Sequence, residues 1–270
     1  MSECIVITSG KGGVGKTTSS ANLAVALALS GKRVVVVDAD IGLRNLDVIL
    51  GLENRIIYDL VQVIEGECRL KQALIRDKRV EGLFLLPAAQ TRDKNAVQPE
   101  DMRKLVEDLK EDHDIVIIDC PAGIEQGFKN SIAGADRAIV VTTPEVSAIR
   151  DADRIIGMVE AHDLPEPELL INRYRPSMVQ RGDMMNREDI LEILAVPLIG
   201  IVPEHEDVVI SANRGSPAVF DEESPVGHAF MRIAQRIQGE DLEIPDFDRD
   251  PSFWKVFMRW MGMAPAREVV

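Results

Sequence analysis

Gly10, Gly15, Lys16 and Thr17 meet the spacing G-x-x-x-x-G-K-[ST] within the run Gly10-Lys11-Gly12-Gly13-Val14-Gly15-Lys16-Thr17-Thr18. Glycines at this density let the backbone wind so that successive N–H groups point inward at phosphate oxygens. A helix starting where such a loop ends adds the positive end of its dipole. Lys16 is then placed to bridge β- and γ-phosphates, and the Thr17 hydroxyl to ligate Mg²⁺. The chemistry in reach is the binding of Mg-ATP through its phosphates. A second lysine, Lys11, sits at the loop's outer edge. From there it reaches its own γ-phosphate with difficulty alongside Lys16, and taken alone it also reads as a solvated surface lysine.

Carboxylates follow two apolar runs. Asp38 and Asp40 come after 33–37, and Asp119 after 115–118. In a parallel sheet such strand ends open onto the same crevice as the glycine loop. Asp119 has the setting of a carboxylate that meets Mg²⁺ directly or through water. Asp38 is expected in the ion's outer shell, with a strand-end cap as its alternative use. Phosphoryl transfer rests on positioning and charge stabilisation, so hydrolysis needs a carboxylate orienting water near the γ-phosphate. Asp40 is assigned that part. The turn Cys120-Pro121-Ala122-Gly123 is placed to sense the same phosphate.

The form K-G-G-V-G-K-T-T over 11–18 resembles the deviant Walker-A P-loop ATPases, the MinD/ParA family. The resemblance implies that ATP is sandwiched in a homodimer, with Lys11 crossing into the partner subunit. The segment 40–47 resembles the first switch of the MinD branch, which implies that Asn45 helps order the attacking water. Segments 90–94, 121–125, 143–147, 181–184 and 201–204, with Arg150-Asp151, look like the same branch. The likeness runs to about Gln238. It implies a slow, partner-stimulated ATPase that converts ATP and water to ADP and phosphate and helps position the division septum. It also implies a MinC-like inhibitor and a MinE-like activator as partners. Asn172-Arg173 and Pro203-Glu204 match positions that clasp adenine in such proteins. An Asn amide can accept from N6 and donate to N7. Ordinary strand-end loops are the alternative for both dipeptides.

The elements that must hold these residues are legible as periodicity. Strands are expected over 4–8, 33–37, 83–86, 115–118, 138–141, 169–171 and 198–201. Helices are expected over 18–30, 99–109, 146–161, 187–194 and 225–237. Strands alternating with helices predict an α/β fold: one doubly wound, mostly parallel sheet with helices on both faces. The P-loop ATPase domain is drawn over 1–238.

Composition narrows the uses. Of 270 residues, 31 are Lys or Arg and 45 Asp or Glu, a net charge of −14 that opposes DNA phosphates. This weighs against a ParA-like DNA or plasmid partition ATPase. Cys4, Cys68 and Cys120 lack pair spacing and read as free thiols, which also disfavours an iron–sulfur reductase. His113, His162, His205 and His228 lack metal-ligand spacing. A flagellar-number relative shares the fold and tail and is the hardest alternative to separate. With no signal-peptide pattern and no apolar run near a bilayer span, the chain is expected in the cytosol.

Residues 239–252 are acidic with two prolines and read as a flexible, solvated linker. On a helix over 253–262, Phe253, Trp254, Phe257 and Trp260 fall in one broad apolar arc, opposite Lys255 and Arg259. That pattern describes an interfacial helix for an anionic membrane surface, on the inner face of the cell membrane in the ATP-bound state. A protein groove or packing on the domain itself are its other uses. Residues 263–270 read as a disordered end.

Overall fold

The computed structural model describes residues 2–92, 96–162, 164–245 and 247. The first half of the chain runs β1 (Glu3–Thr8), α1 (Lys16–Leu29), β2 (Val34–Asp38), α2 (Leu46–Ile49), α3 (Leu60–Ile64), α4 (Leu70–Ala73), β3 (Ile75–Arg76), β4 (Leu83–Leu86), α5 (Pro99–Lys110) and β5 (Ile115–Asp119). The second runs α6 (Gln126–Ile132), β6 (Arg137–Thr142), α7 (Val146–Glu160), β7 (Glu168–Tyr174), α8 (Pro176–Gln180), α9 (Arg187–Leu194), β8 (Leu198–Pro203), α10 (Asp207–Asn213) and α11 (Pro225–Ile237).

The strands form one sheet in the order β3-β4-β2-β5-β1-β6-β7-β8. Every pairing is parallel except β3 with β4. The expected doubly wound sheet is therefore the one found. Side chains alternate between its faces. Cys4, Val6, Val35, Val37, Val116 and Ile118 enter one core cluster. Their neighbours Ile5, Ile7, Val34, Val36, Ile115 and Ile117 enter the other. Both faces being covered is why these strands read as unbroken apolar runs. The chain crosses from β1 into α1 at the centre of the sheet, where β5 and β6 flank β1 on opposite sides. The crevice at such a crossing is where open α/β sheets bind ligands.

The short elements went unread in the sequence. Helices of four to seven residues, such as α2, α3 and α10, carry too little periodicity to stand out. One had a legible signal. Asp59 and Gln62 cap α3 reciprocally, with Gln62 N–H donating to Asp59 Oδ1 at 3.0 Å and Asp59 N–H to Gln62 Oε1 at 3.2 Å.

The stretch after α11 departs from expectation. The described part of 239–252 lies on the domain instead of standing in solvent as a linker. Gly239, at φ 91°, turns the chain back. Arg236 then donates to the Leu242 carbonyl, and Arg232 to the Glu243 carbonyl. Ile244 packs on the core, and Phe247 is 8% exposed. The Phe247 ring lies 5.9 Å from that of buried Tyr174, at the end of β7. Acidic composition marked this segment as solvated, but its apolar residues Leu242, Ile244 and Phe247 give it something to bury. The helix expected over 253–262, with Phe253, Trp254, Phe257 and Trp260, lies outside the described residues.

Phe247→Ala is expected to cost about 3–5 kcal/mol of stability, the usual loss for a buried aromatic ring. Urea denaturation of the full chain measures it, and an unchanged midpoint would mean that the ring contributes no packing.

Candidate functional site

The glycine loop links Thr8 of β1 to Lys16 of α1. Gly13 and Gly15 turn it with φ of 80° and 97°, a region that L side chains avoid. The loop is pressed from outside as well. A Cβ on Gly10 would lie 2.2 Å from the Asp151 carbonyl oxygen of α7, and one on Gly15 would lie 2.2 Å from Asn172 Nδ2. Asn172 Nδ2 donates to the Val14 carbonyl at 2.7 Å, and Ser9 Oγ to the Lys11 carbonyl at 2.8 Å. Carbonyls of the loop are thus held outward by neighbours. The first N–H groups of α1 have no acceptor within the helix, as at any helix start.

The two lysines separate. Lys16 is 8% exposed and lies within electrostatic reach of Asp119. Lys11 is exposed, and its Nζ donates to Ser147 Oγ at 3.0 Å in the first turn of α7.

Parallel pairing of β2 with β5 puts Asp38 directly opposite Asp119. Both are buried, at 1% and 2% exposure. Asp119 accepts from Ser20 Oγ at 2.8 Å and from the Thr17 hydroxyl. Burial raises its pKa to about 6, against the pull of those two donors and the Lys16 charge. Burial, and then the charge of Asp119, push Asp38 to about 8. The Asp40 N–H at 3.0 Å and the Leu46 N–H at 3.4 Å oppose that rise. Asp38, Asp119 and the Thr17 hydroxyl thus gather hard oxygen donors in one place, with the Lys16 charge within reach of Asp119. This set fits a divalent cation such as Mg²⁺.

Asp40 is half-buried, outside the pair. It lines a recess of about 30 Å³ with Glu125, Pro121 and Phe128, room on the scale of a single water. Asn45 is exposed at the start of α2, next to the N–H that reaches Asp38, and its side chain makes no capping bond. On the opposite side, Asn172 is buried with one amide hydrogen committed to the loop, so its first task here is to brace Val14. Arg173 is exposed in the left-handed region, at φ 56°. Pro203 ends β8, and Glu204 pairs with Arg175 while its N–H donates to the Tyr174 carbonyl at 3.0 Å. A cleft of about 740 Å³ opens beside Arg173 and Glu204.

Sequence reasoning missed Ser20. Starting the first helix at 18 instead of Lys16 hid the fact that Ser20 stands one turn after Lys16 and on its face. It also missed that Asn172 holds the loop, a long-range bond with no local signal. Among the described residues no cluster of three or more His, Cys, Asp or Glu forms a protein-only metal site. Cys120 is buried with its thiol pushed up to about 11, so it is an unreactive core thiol.

Residues 5–218 match the family described as the CobQ/CobB/MinD/ParA nucleotide binding domain. The chain belongs to this family. Its likeness to the MinD branch is extensive. A septum site-determining protein MinD from Bacillus subtilis is 56% identical over 246 residues, 90% of this chain and 92% of that protein. A MinC:MinD cell division protein complex from Aquifex aeolicus contains a chain 48% identical, with a TM-score of 0.85, covering 91% of this chain and 99% of that one. A MinD complexed with Mg-ADP from Pyrococcus horikoshii is 31% identical, with a TM-score of 0.80, covering 88% and 96%. As a member of this family, the chain carries a nucleotide binding domain.

The buried pair sets a pH dependence. In the folded chain Asp119 holds its proton up to about 6 and Asp38 up to about 8, whereas an unfolded Asp releases its proton near pH ~4. The folded state binds more protons across the window from there to about 8, so stability falls as pH rises through it. Asp38→Asn is expected to flatten most of that slope and to raise the melting temperature near neutral pH. Thermal unfolding from acid to mildly alkaline buffer checks this, and an equal slope in parent and variant would contradict it.

Proposed function

We propose that this chain is a septum-site-determining ATPase that dimerises around ATP, attaches to the membrane in that state and leaves it after hydrolysis. The observation that carries the catalytic part is the register pairing of Asp38 with Asp119 beside Thr17 and Lys16. Bound Mg²⁺ would supply charge neutralisation between phosphate oxygens and these carboxylates. Thr17 and Asp119 would hold it, with Asp38 behind them. Lys16 and the N–H groups of residues 10 to 18, from Gly10 to Thr18, bind the phosphates. Asp40 orients water and takes up its proton, and Asn45 helps to order that water. Lys11 leaves Ser147 and crosses to the nucleotide of a second copy. Asn172, Arg173, Pro203 and Glu204 border the base, with the Asn172 side-chain oxygen available to accept from an exocyclic amine.

The septum role is supported by the names of relatives about half identical over nearly the whole chain. A MinC-like partner is supported by the Aquifex aeolicus complex. A MinE-like activator rests on the family resemblance alone. The membrane part rests on the sequence pattern of Phe253, Trp254, Phe257 and Trp260. One such tail binds lipid marginally, while two on one dimer gain an effective-concentration advantage of roughly 10²–10⁴. The partition reading is opposed by the net charge of −14.

Lys16→Ala is expected to abolish ATP binding in calorimetry. Lys11→Ala should keep binding and lose the ATP-dependent dimer in light scattering, and a dimer of normal stability would refute its crossing role. Asp40→Ala should dimerise with Mg-ATP yet turn it over at least ~10²-fold more slowly, the usual scale for losing a general base.

For the tail, cosedimentation with anionic liposomes should be strong in ATP and weak in ADP. It should be lost in the double variant Trp254→Glu, Trp260→Glu. Equal binding in both nucleotides would sink the dimer-driven attachment.

A further inference from the structure

Arg79 lies in the connection between β3 and β4, away from the residues assigned to the nucleotide. Its Nε donates to buried Asp77 Oδ1 at 3.0 Å, and its Nη2 to Asp77 Oδ2 at 2.6 Å. Nη1 donates to the Gly215 carbonyl at 2.9 Å, and Nη2 also to the Leu50 carbonyl. The Phe220 ring covers the guanidinium, 4.8 Å from its carbon. Leu50 closes α2, and Gly215 lies in the turn that closes α10. Those two turns touch backbone to backbone. A Cβ on Gly51 would lie 2.5 Å from the Gly215 carbonyl oxygen, and one on Gly215 would lie 2.7 Å from Gly51 Cα. Both glycines have positive φ, 64° and 60°. Side chains are excluded from this contact on both sides, and Arg79 bridges the carbonyls across it. A planar fork with five donors can do this while resting on a carboxylate; an ammonium cannot.

At their other ends α2 and α10 lead to opposite sides of the site. The Leu46 N–H in α2 donates to Asp38, and Asn45 precedes it. α10 begins at Asp207, three residues after Glu204. Helices of four and seven residues do not hold their positions unaided. We propose that Arg79 is a positioning residue that locks the cation-side helix α2 to the base-side helix α10, so that one nucleotide meets both in a fixed relation. The functional half of this inference rests on the ATPase reading above.

The test uses the full chain with Arg79→Lys, and with Val159→Ala as a destabilised control at the far end of α7. Amide hydrogen exchange is measured without ligand, and Mg-ADP affinity by calorimetry over a range of Mg²⁺ concentrations. In Arg79→Lys, amides of 46–50 and 207–215 should exchange faster together, by about tenfold, as expected for losing a charge-assisted bond. Mg-ADP affinity should fall by about the same factor, and half-maximal binding should need more Mg²⁺. Val159→Ala should melt lower without either change. Exchange that rises in one segment only, or nucleotide affinity within about twofold of the parent, overturns the clamp. A parent chain that bound no nucleotide would overturn the ATPase reading instead, and the exchange result would then decide the clamp.

Discussion

Burying Asp38 and Asp119 side by side is costly, and much of the surrounding structure answers that cost. The positions follow from strand register, which cannot shift by one residue without turning one strand's side chains to the opposite faces. Donors must therefore come to the carboxylates. Ser20 and Thr17 reach Asp119 only if α1 begins at Lys16, and that start demands the left-handed turn at Gly15. The Leu46 N–H reaches Asp38 only if the chain after β2 folds back into α2. Loop, helix start and switch segment thus have one electrostatic cause.

The phosphate loop does not hold its own shape. Asn172 from β7 ties down Val14, and the backbone of Asp151 in α7 lies against Gly10 with no room for a side chain. The same two elements carry Arg173, at the open cleft, and Ser147, which receives Lys11. A displacement of the loop is therefore felt at that cleft and at the outer lysine together, through packed elements in contrast to a flexible tether.

The parallel sheet was readable because its central strands are buried on both faces and announce themselves as continuous apolar runs, β-branched throughout over 34–37. The loop was readable because its chemistry is local. The carboxylates were readable as strand ends, though their direct opposition needed the register. Non-local bonds left no trace in sequence order. Asn172 lies 158 residues from the carbonyl it holds, and Arg79 lies 136 residues from Gly215. Ser20 was lost to a helix boundary placed two residues late, which left Lys16 and Thr17 outside the helix whose face Ser20 shares with Lys16. The acidic stretch after α11 misled because composition averages over residues, while burial is decided by individual ones such as Phe247.

That last segment changes where the folded body can be cut. A boundary drawn at Gln238 looks natural at the end of α11, but it would strip away Ile244 and Phe247 and leave the Tyr174 ring open to water. Tyr174 is the residue whose carbonyl receives the Glu204 N–H, so the damage would arrive from behind at Glu204 and the cleft it lines. Any fusion, cleavage site or label meant to spare nucleotide handling belongs after Phe247. A protease that nicked the chain earlier would act as an inhibitor of the ATPase without touching a residue of its active site.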